Sequence, residues 1–240
     1  MTIQGRTSTC GSGLMPDVAP RPDPRPMSAS PAVTAIVFDL DGTLVDSLDD
    51  ISAAFCRSFH VVGTAPPAAA DVRSMIGKPL REMYAPWAPA SVIDTLVAEY
   101  RRDYAERCAD QTRPYPGIVD LLDALRARGH ALAVATTKTT AMARIVLARL
   151  GLEQHVDHVQ GTDGFPHKPA PDVILRALAG LACKGAWMVG DATSDVAAGR
   201  AAGLRTCAVT WGVHSAAQLR AAEPDVMADS VQALRTLLLA

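Results

Sequence analysis

The chain has 240 residues, of which 49% are hydrophobic, and a formal net charge of −2 at pH 7. This composition supports a large buried core and argues against nucleic acid as a main partner, which needs a basic face. It also argues against a membrane protein, because no apolar run approaches the roughly 18 residues that cross a bilayer. The five cysteines are scattered and odd in number, which favours reduced thiols in the cytoplasm over disulfides or a zinc site.

The first 30 residues are rich in proline, glycine and serine and contain no apolar segment of the kind found in secretory signals. Such a composition cannot bury enough apolar surface to fold. We therefore expect a disordered leader over residues 1–30.

An apolar, β-branched run over residues 33–38 ends in Asp39 and Asp41, and Gly42 follows directly. The run is typical of a buried strand. In an extended backbone, residues two apart point the same way, so the two carboxylates leave the strand end together. Because adjacent carboxylates repel, either a divalent cation lies between them, or one carboxyl has a raised pKa, or both hold.

The following stretch is helical in pattern, with apolar residues at helical spacing over 48–62, 68–76 and 91–108. Beyond it, strands and helices alternate. Strands are predicted over 131–135, 158–161, 186–189, 206–209 and 226–228, and helices over 118–128, 139–150, 173–181, from 191 to 203, 216–222 and 231–238.

This alternation predicts an α/β fold with a doubly wound, parallel, Rossmann-like sheet. Ligands bind such sheets beyond the carboxyl ends of the strands. The first crossover is too long, since 97 residues separate Asp39 from Thr136 and a βα unit needs roughly 30. We assign the surplus to an inserted α-helical cap domain over 48–111, with 31–47 and 112–240 forming the Rossmann-like core.

Further polar side chains stand at or near the ends of the predicted strands, and these are Thr136, Thr137, Lys168, Asp191 and Asp195. Lys168 precedes a proline, which steers its backbone toward extended angles. Because the carboxyl ends of parallel strands share one edge, we expect these groups to converge with Asp39. The Lys168 nitrogen and the Asp191 carboxyl should lie within about 10 Å of Asp39, near enough for one hydrated cation and one phosphate to join them.

The string Phe-Asp-Leu-Asp-Gly-Thr-Leu-Val-Asp-Ser over 38–47 resembles the first motif of the haloacid dehalogenase superfamily, and the threonine, lysine and Gly-Asp motifs follow in that family's order. The helical insert and Ile-Gly-Lys-Pro-Leu over 76–80 resemble its phosphoglycolate phosphatase group. The resemblance implies a Mg²⁺-dependent phosphatase that acts on a small phosphorylated metabolite through an aspartyl-phosphate intermediate. We expect a monomer or a homodimer.

The resemblance also implies roles for individual residues. Asp39 would be the nucleophile and Asp41 the general acid and base, with Lys168 and Thr136 completing the catalytic set. The metal ligands would be Asp39, the backbone carbonyl of Asp41, Asp191 and Asp195. The residues assigned to substrate binding are Thr43, Gly77, Lys78, Arg81, Thr136, Thr137 and Lys168.

Other functions stay open at this point. A β-phosphoglucomutase-like phosphotransferase shares the scaffold and all four motifs, and inorganic pyrophosphatases belong to the same group. A non-catalytic binding protein is disfavoured because every catalytic side chain is present. Asp41 argues against haloacid dehalogenases, which lack an aspartate at this position, and against phosphonoacetaldehyde hydrolases, which carry alanine there.

Overall fold

The computed structural model describes residues 1–2 and 34–240, so the leader predicted over 1–30 lies almost wholly outside the described residues. The strands are β1 Thr34–Phe38, β2 Val45–Asp46, β3 Arg113–Pro114, β4 Ala131–Ala135, β5 His158–Gln160, β6 Lys184–Gly190, β7 Arg205–Val209 and β8 Val226–Ala228. The helices are α1 Leu48–Ser58, α2 Ala69–Arg73, α3 Leu80–Tyr84, α4 Ala90–Arg107, α5 Ile118–Ala127, α6 Thr140–Arg149, α7 Asp172–Leu181, α8 Thr193–Ala201, α9 Ala216–Ala221 and α10 Val231–Leu239.

Six strands form a parallel sheet in the order β5-β4-β1-β6-β7-β8. The predicted doubly wound α/β fold is thereby confirmed. From the central β1, the chain builds the sheet outward through β4 and β5, then crosses over and builds the other side from β6. The strand order reverses at β1, and the crevice beyond such a reversal is where ligands bind in this type of sheet.

Both faces of the sheet are buried, which explains why its central strands are almost continuously apolar. Ile36 and Phe38 of β1 face one core, which α5, α6 and α10 cover. Val37, between them in sequence, faces a second core with α7 and α8. Because alternate residues point to opposite faces, a one-residue slip of β1 would exchange these contacts and move the two acids that follow it.

Helices α1 to α4 pack into the same core as the first face of the sheet. The Phe55 and Tyr84 rings stack with centroids 4.1 Å apart, and Arg57 of α1 donates to the Asp103 carboxylate of α4 at 2.6 Å. Strands β2 and β3 pair antiparallel, so the chain enters and leaves the helical segment at neighbouring points. The assignment of residues 48–111 as a separate cap domain stays a prediction.

The structure differs from the predicted elements at short ones. The helix expected over 48–62 ends at Ser58 and continues as a 3-10 turn over Phe59–Val62, and the one expected over 68–76 covers only α2. Helix α3 lies within the stretch expected to be helical but was not predicted as a separate helix, and the β2–β3 ribbon was not predicted. None of the helices in the described part of the chain is long and apolar enough to cross a membrane.

Candidate active site

The edge at which β1, β4 and β6 end carries the acids and the lysine predicted from the sequence. Asp39 follows β1 directly, and its backbone N–H donates to the Val189 carbonyl of β6 at 2.8 Å. Lys168, in the loop before α7, is only 4% exposed. Its Nζ donates to the Asp39 carboxylate at 2.7 Å. The ammonium therefore lies against an acid whose backbone is fixed by the central ladder.

Lys168 also joins Asp39 to the end of β4 and to the acids that follow β6. Its Nζ donates to Asp195 at 2.6 Å and to the Ala135 carbonyl at 3.1 Å. These contacts and Asp39 use all three protons of the ammonium. Carboxylate oxygens of Asp39, Asp191 and Asp195 lie within 4.8 Å of one another, well inside the separation of about 10 Å expected for groups that share one cation and one phosphate.

Neutral donors orient the two acids that follow β6. Asp191 accepts the Thr43 hydroxyl at 2.8 Å and the Val213 backbone N–H at 2.6 Å. Asp195 accepts the Ala192 backbone N–H at 2.9 Å, next to the start of α8. Thr43 is fully buried, and its hydroxyl is used to orient Asp191. A contact between Thr43 and substrate, expected from the resemblance, stays a prediction.

The acidic cluster carries more negative charge than its lysine balances. Three carboxylates against the Lys168 ammonium leave two negative charges uncompensated within the described cluster. Burial raises the pKa of Asp39 well above its usual range; Lys168 lowers it, and the neighbouring acids raise it further. Burial and Asp195 raise the pKa of Asp191 to about 7. Without further positive charge, the ionised form of this cluster is disfavoured.

The ammonium of Lys168 stays charged in this setting. Burial alone would lower its pKa, but Asp195 and Asp39 outweigh that effect and hold the pKa above its ordinary value. A buried lysine is stable in the charged form only when it is paired in this way.

Gly42 lets the chain turn close beside Asp191. Its φ is +80°, and a Cβ at this position would overlap the Asp191 carboxylate. We expect Gly42→Ala to lower the free energy of unfolding by roughly 1–3 kcal/mol beyond the cost of the left-handed backbone alone, because the added methyl group overpacks the site. Urea denaturation measures this loss. The matched control is Gly63→Ala, with φ +66° and no atom within 4 Å of the added Cβ; equal losses in both variants would rule out the close approach as the cause.

The carboxylate of Asp41 has partners of its own. The Ser47 hydroxyl donates to one oxygen at 2.6 Å, and Lys138 Nζ donates to the other at 2.7 Å. The same ammonium lies 4.8 Å from the centroid of the Tyr104 ring. Lys138 was not among the predicted site residues. The sequence signal that could have found it is its position two residues after Thr136, at the end of β4.

The two threonines after β4 differ in exposure. Thr136 is 1% exposed, and its hydroxyl accepts the backbone N–H of Lys138 at 3.3 Å. Thr137 is half-buried and lines an open cavity. Both threonines therefore lie at the end of β4, where they were expected. Their contacts with a phosphate group stay predictions.

A cavity of about 510 Å³ lies between the strand ends and the helical segment, with Asp41 in its wall. The three residues of the helical segment assigned to substrate binding, Gly77, Lys78 and Arg81, all line it. Arg81 is already paired with Asp94. The cavity thus connects the acid at the end of β1 with the region expected to select the substrate.

A doubly wound sheet with buried carboxylates and a charged lysine at its point of reversal is typical of a Rossmann-like α/β enzyme with a carboxylate-based centre. More particularly, the chain belongs to the haloacid dehalogenase-like hydrolase family, whose model matches residues 36–209.

Two relatives and one solved structure locate the branch of this family. The phosphoglycolate phosphatase of Agrobacterium fabrum is 33% identical over 218 residues, which cover 87% of this chain and 93% of the relative. The pyrophosphatase PpaX of Bacillus velezensis is 34% identical over 205 residues, which cover 84% of this chain and 94% of the relative. A haloacid dehalogenase-like family hydrolase from Streptococcus pneumoniae has a TM-score of 0.76 at 33% identity, over 85% of this chain and 97% of the other. The chain is accordingly a phosphatase-type hydrolase of the phosphoglycolate phosphatase-like group.

Proposed function

We propose that the protein is a Mg²⁺-dependent phosphatase that hydrolyses a small phosphomonoester, of the phosphoglycolate type, through a phosphoryl group held covalently on Asp39. One observation carries this proposal: Lys168 Nζ binds Asp39 and Asp195 at 2.7 and 2.6 Å, in a cluster whose third acid is Asp191. A nucleophilic carboxylate, an ammonium and a set of oxygen ligands are the groups needed to attack a phosphate ester.

The residues fit a magnesium ion on two counts. Their donors are carboxylate oxygens, which Mg²⁺ prefers, and the two uncompensated charges match a divalent cation. Asp39, Asp191 and Asp195, with the backbone carbonyl of Asp41, would hold it. When bound, the ion supplies positive charge that allows a phosphate dianion to approach a carboxylate.

The chemical steps assign a separate task to each acid. An oxygen of Asp39 attacks phosphorus, the bond from phosphorus to the ester oxygen breaks, and Asp41, which must carry a proton for this step, gives it to the departing oxygen and becomes a carboxylate. Asp41 then removes a proton from water, which attacks phosphorus and releases inorganic phosphate from Asp39. Ser47 and Lys138 donate to the Asp41 carboxylate at 2.6 and 2.7 Å, and these contacts fit its ionised form, which removes the proton from water.

The remaining predicted residues bind the substrate. Lys168 and the hydroxyl of Thr136 would contact phosphoryl oxygens at the strand ends, and Thr137 would contribute from the cavity wall. Gly77, Lys78 and Arg81 would face the leaving group, because they line the cavity in the helical segment.

The reaction class is tested by phosphate release from a panel of phosphoglycolate, pyrophosphate, nucleoside monophosphates and hexose phosphates in the presence of Mg²⁺. Fast release from phosphoglycolate supports the proposal, and fast release from pyrophosphate alone would favour the activity named for the Bacillus velezensis relative. A phosphotransferase would instead interconvert sugar phosphates when primed with a bisphosphate and release little phosphate.

Removal of divalent metal is expected to slow phosphate release by at least about a hundredfold, because the uncompensated charge of the acid cluster would then repel the substrate. The measurement compares initial rates in excess EDTA with rates after Mg²⁺ is restored in excess. Undiminished turnover in the chelator would remove the metal from the proposal.

A further inference from the structure

One face of helix α4 lines the cavity. Asp94, Val97, Ala98 and Arg101 recur at spacings of three and four residues, and all four border the cavity. Such spacing places side chains on one side of a helix. Arg101 stands at the far end of this face, about two turns beyond Asp94. Sequence reasoning assigned no role to it.

Most of the charged side chains around the cavity are paired with a group of opposite charge. Arg81 is paired with Asp94, and Lys138 is paired with Asp41 at 2.7 Å. His167 faces Glu82 at 3.3 Å. These contacts account for both acids of the cavity wall and for three of its basic groups.

Lys78 and Arg101 are the two other basic residues of the cavity wall. Neither forms an ion pair with a carboxylate in the described part of the chain, and both are exposed along the cavity wall. The wall formed by the helical segment therefore presents two unbalanced positive charges, opposite in sign to the acid cluster at the strand ends. A guanidinium is suited to such a position, because it can donate two parallel hydrogen bonds to a carboxylate or a phosphate.

The volume of the cavity and its apolar lining indicate the size and the polarity of a ligand that fits. The volume of about 510 Å³ lies within the range of roughly 300–1,000 Å³ that is typical of sites for organic ligands. Ile76, Leu80, Val97, Met142 and Phe165 supply apolar surface. There is room for a leaving group larger than a two-carbon acid, with an apolar part between its two ends.

We propose that Arg101, together with Lys78, binds a second anionic group, a carboxylate or a phosphate, carried by the leaving group of the phosphomonoester. The proposal rests on the phosphatase function above and specifies its substrate class: doubly anionic esters whose first phosphate meets the strand ends and whose second anion meets α4. Arg81 is not assigned this task because the Asp94 carboxylate already balances its charge.

Two pairs of esters test the proposal. The carboxylate pair is 4-carboxyphenyl phosphate against phenyl phosphate, and the phosphate pair is propane-1,3-diol bisphosphate against 3-hydroxypropyl phosphate. The wild-type enzyme is expected to favour the doubly anionic member of at least one pair in kcat/KM, and the pair that shows the preference identifies the anion. In that pair, Arg101→Gln should reduce the preference by at least about tenfold, and Lys78→Gln by at least about threefold.

The matched control is Arg102→Gln. Arg102 neighbours Arg101 in sequence but pairs with Glu99 at 2.6 Å and does not line the cavity, so this variant should keep the wild-type preference. A wild-type enzyme without preference in either pair, or a preference that stays within twofold of wild type in Arg101→Gln or Lys78→Gln, would overturn the proposal while phosphate is still released. Absence of phosphate release from every ester would overturn the proposed function itself, and this proposal with it.

Discussion

The Asp39→Asn variant is expected to release phosphate at least about 10³-fold more slowly than the wild type, which corresponds to about 4 kcal/mol of lost transition-state stabilisation. A carboxamide has nearly the shape of a carboxylate but cannot attack phosphorus. The measurement is kcat/KM for the best ester of the substrate panel. A rate within tenfold of wild type would show that Asp39 is not the nucleophile.

The fold of this variant should survive, which separates lost chemistry from lost structure. Burial and the neighbouring acids raise the pKa of Asp39, so its charge is a cost to the metal-free protein that asparagine removes. Lys168 keeps its contacts with Asp195 and the Ala135 carbonyl. We therefore expect the metal-free variant to unfold at a temperature no more than a few degrees from that of the wild type, as measured by circular dichroism.

The Lys168→Met variant is expected to lose both activity and stability. It removes the ammonium that binds Asp39 and Asp195, so phosphate release should fall by at least about a hundredfold. Breaking a buried ion pair by removing one partner costs roughly 3–5 kcal/mol. Urea denaturation of the metal-free proteins measures the second effect.

The direction of the pH dependence follows from the acids left behind. Lys168 lowers the pKa of Asp39 in the wild type, so in the methionine variant that pKa rises further above its value in the unfolded chain. A raised carboxyl pKa costs stability above the unfolded pKa, and this cost disappears as the carboxyl is protonated at lower pH. The gap in stability between Lys168→Met and the wild type should therefore narrow from pH 8 to pH 5.

Lys184→Met is the matched control for that comparison. Lys184 is an exposed residue at the start of β6. Its substitution should leave the rate of phosphate release unchanged and should change the free energy of unfolding by no more than about 0.5 kcal/mol. A Lys168→Met variant that behaves like Lys184→Met would contradict the role given to the buried ammonium.

The long and buried elements could be predicted from the sequence because their local pattern is strong. Strands β1 and β4 are short apolar runs bounded by polar residues, as expected of strands covered on both faces. Helix α3 has only five residues and β2 and β3 have two each, so none of them is long enough to show its own periodicity twice. Short elements of this kind are determined by their neighbours.

The site was predictable in its members but not in its contacts. Asp39, Asp191 and Asp195 could be found because each follows a strand end within a few residues, and Lys168 could be found because its Lys-Pro-Ala-Pro-Asp context resembles the family's lysine motif. The bond from Lys138 to Asp41 spans 97 positions of the sequence, and the bond from Thr43 to Asp191 spans 148. Both depend on which strands are neighbours, and no local pattern encodes the order β5-β4-β1-β6-β7-β8.

The separation between the strand ends and the α4 face has a consequence for how this enzyme can diversify. The backbone of Asp39 is anchored in the middle of the sheet by β6, whereas Val97, Ala98 and Arg101 contribute to no strand pairing. Under the proposed function, mutations on that face can alter which esters are accepted without disturbing the attacking group. Natural selection could then retarget an ancestral gene of this type one helix position at a time, while the reaction itself is inherited unchanged.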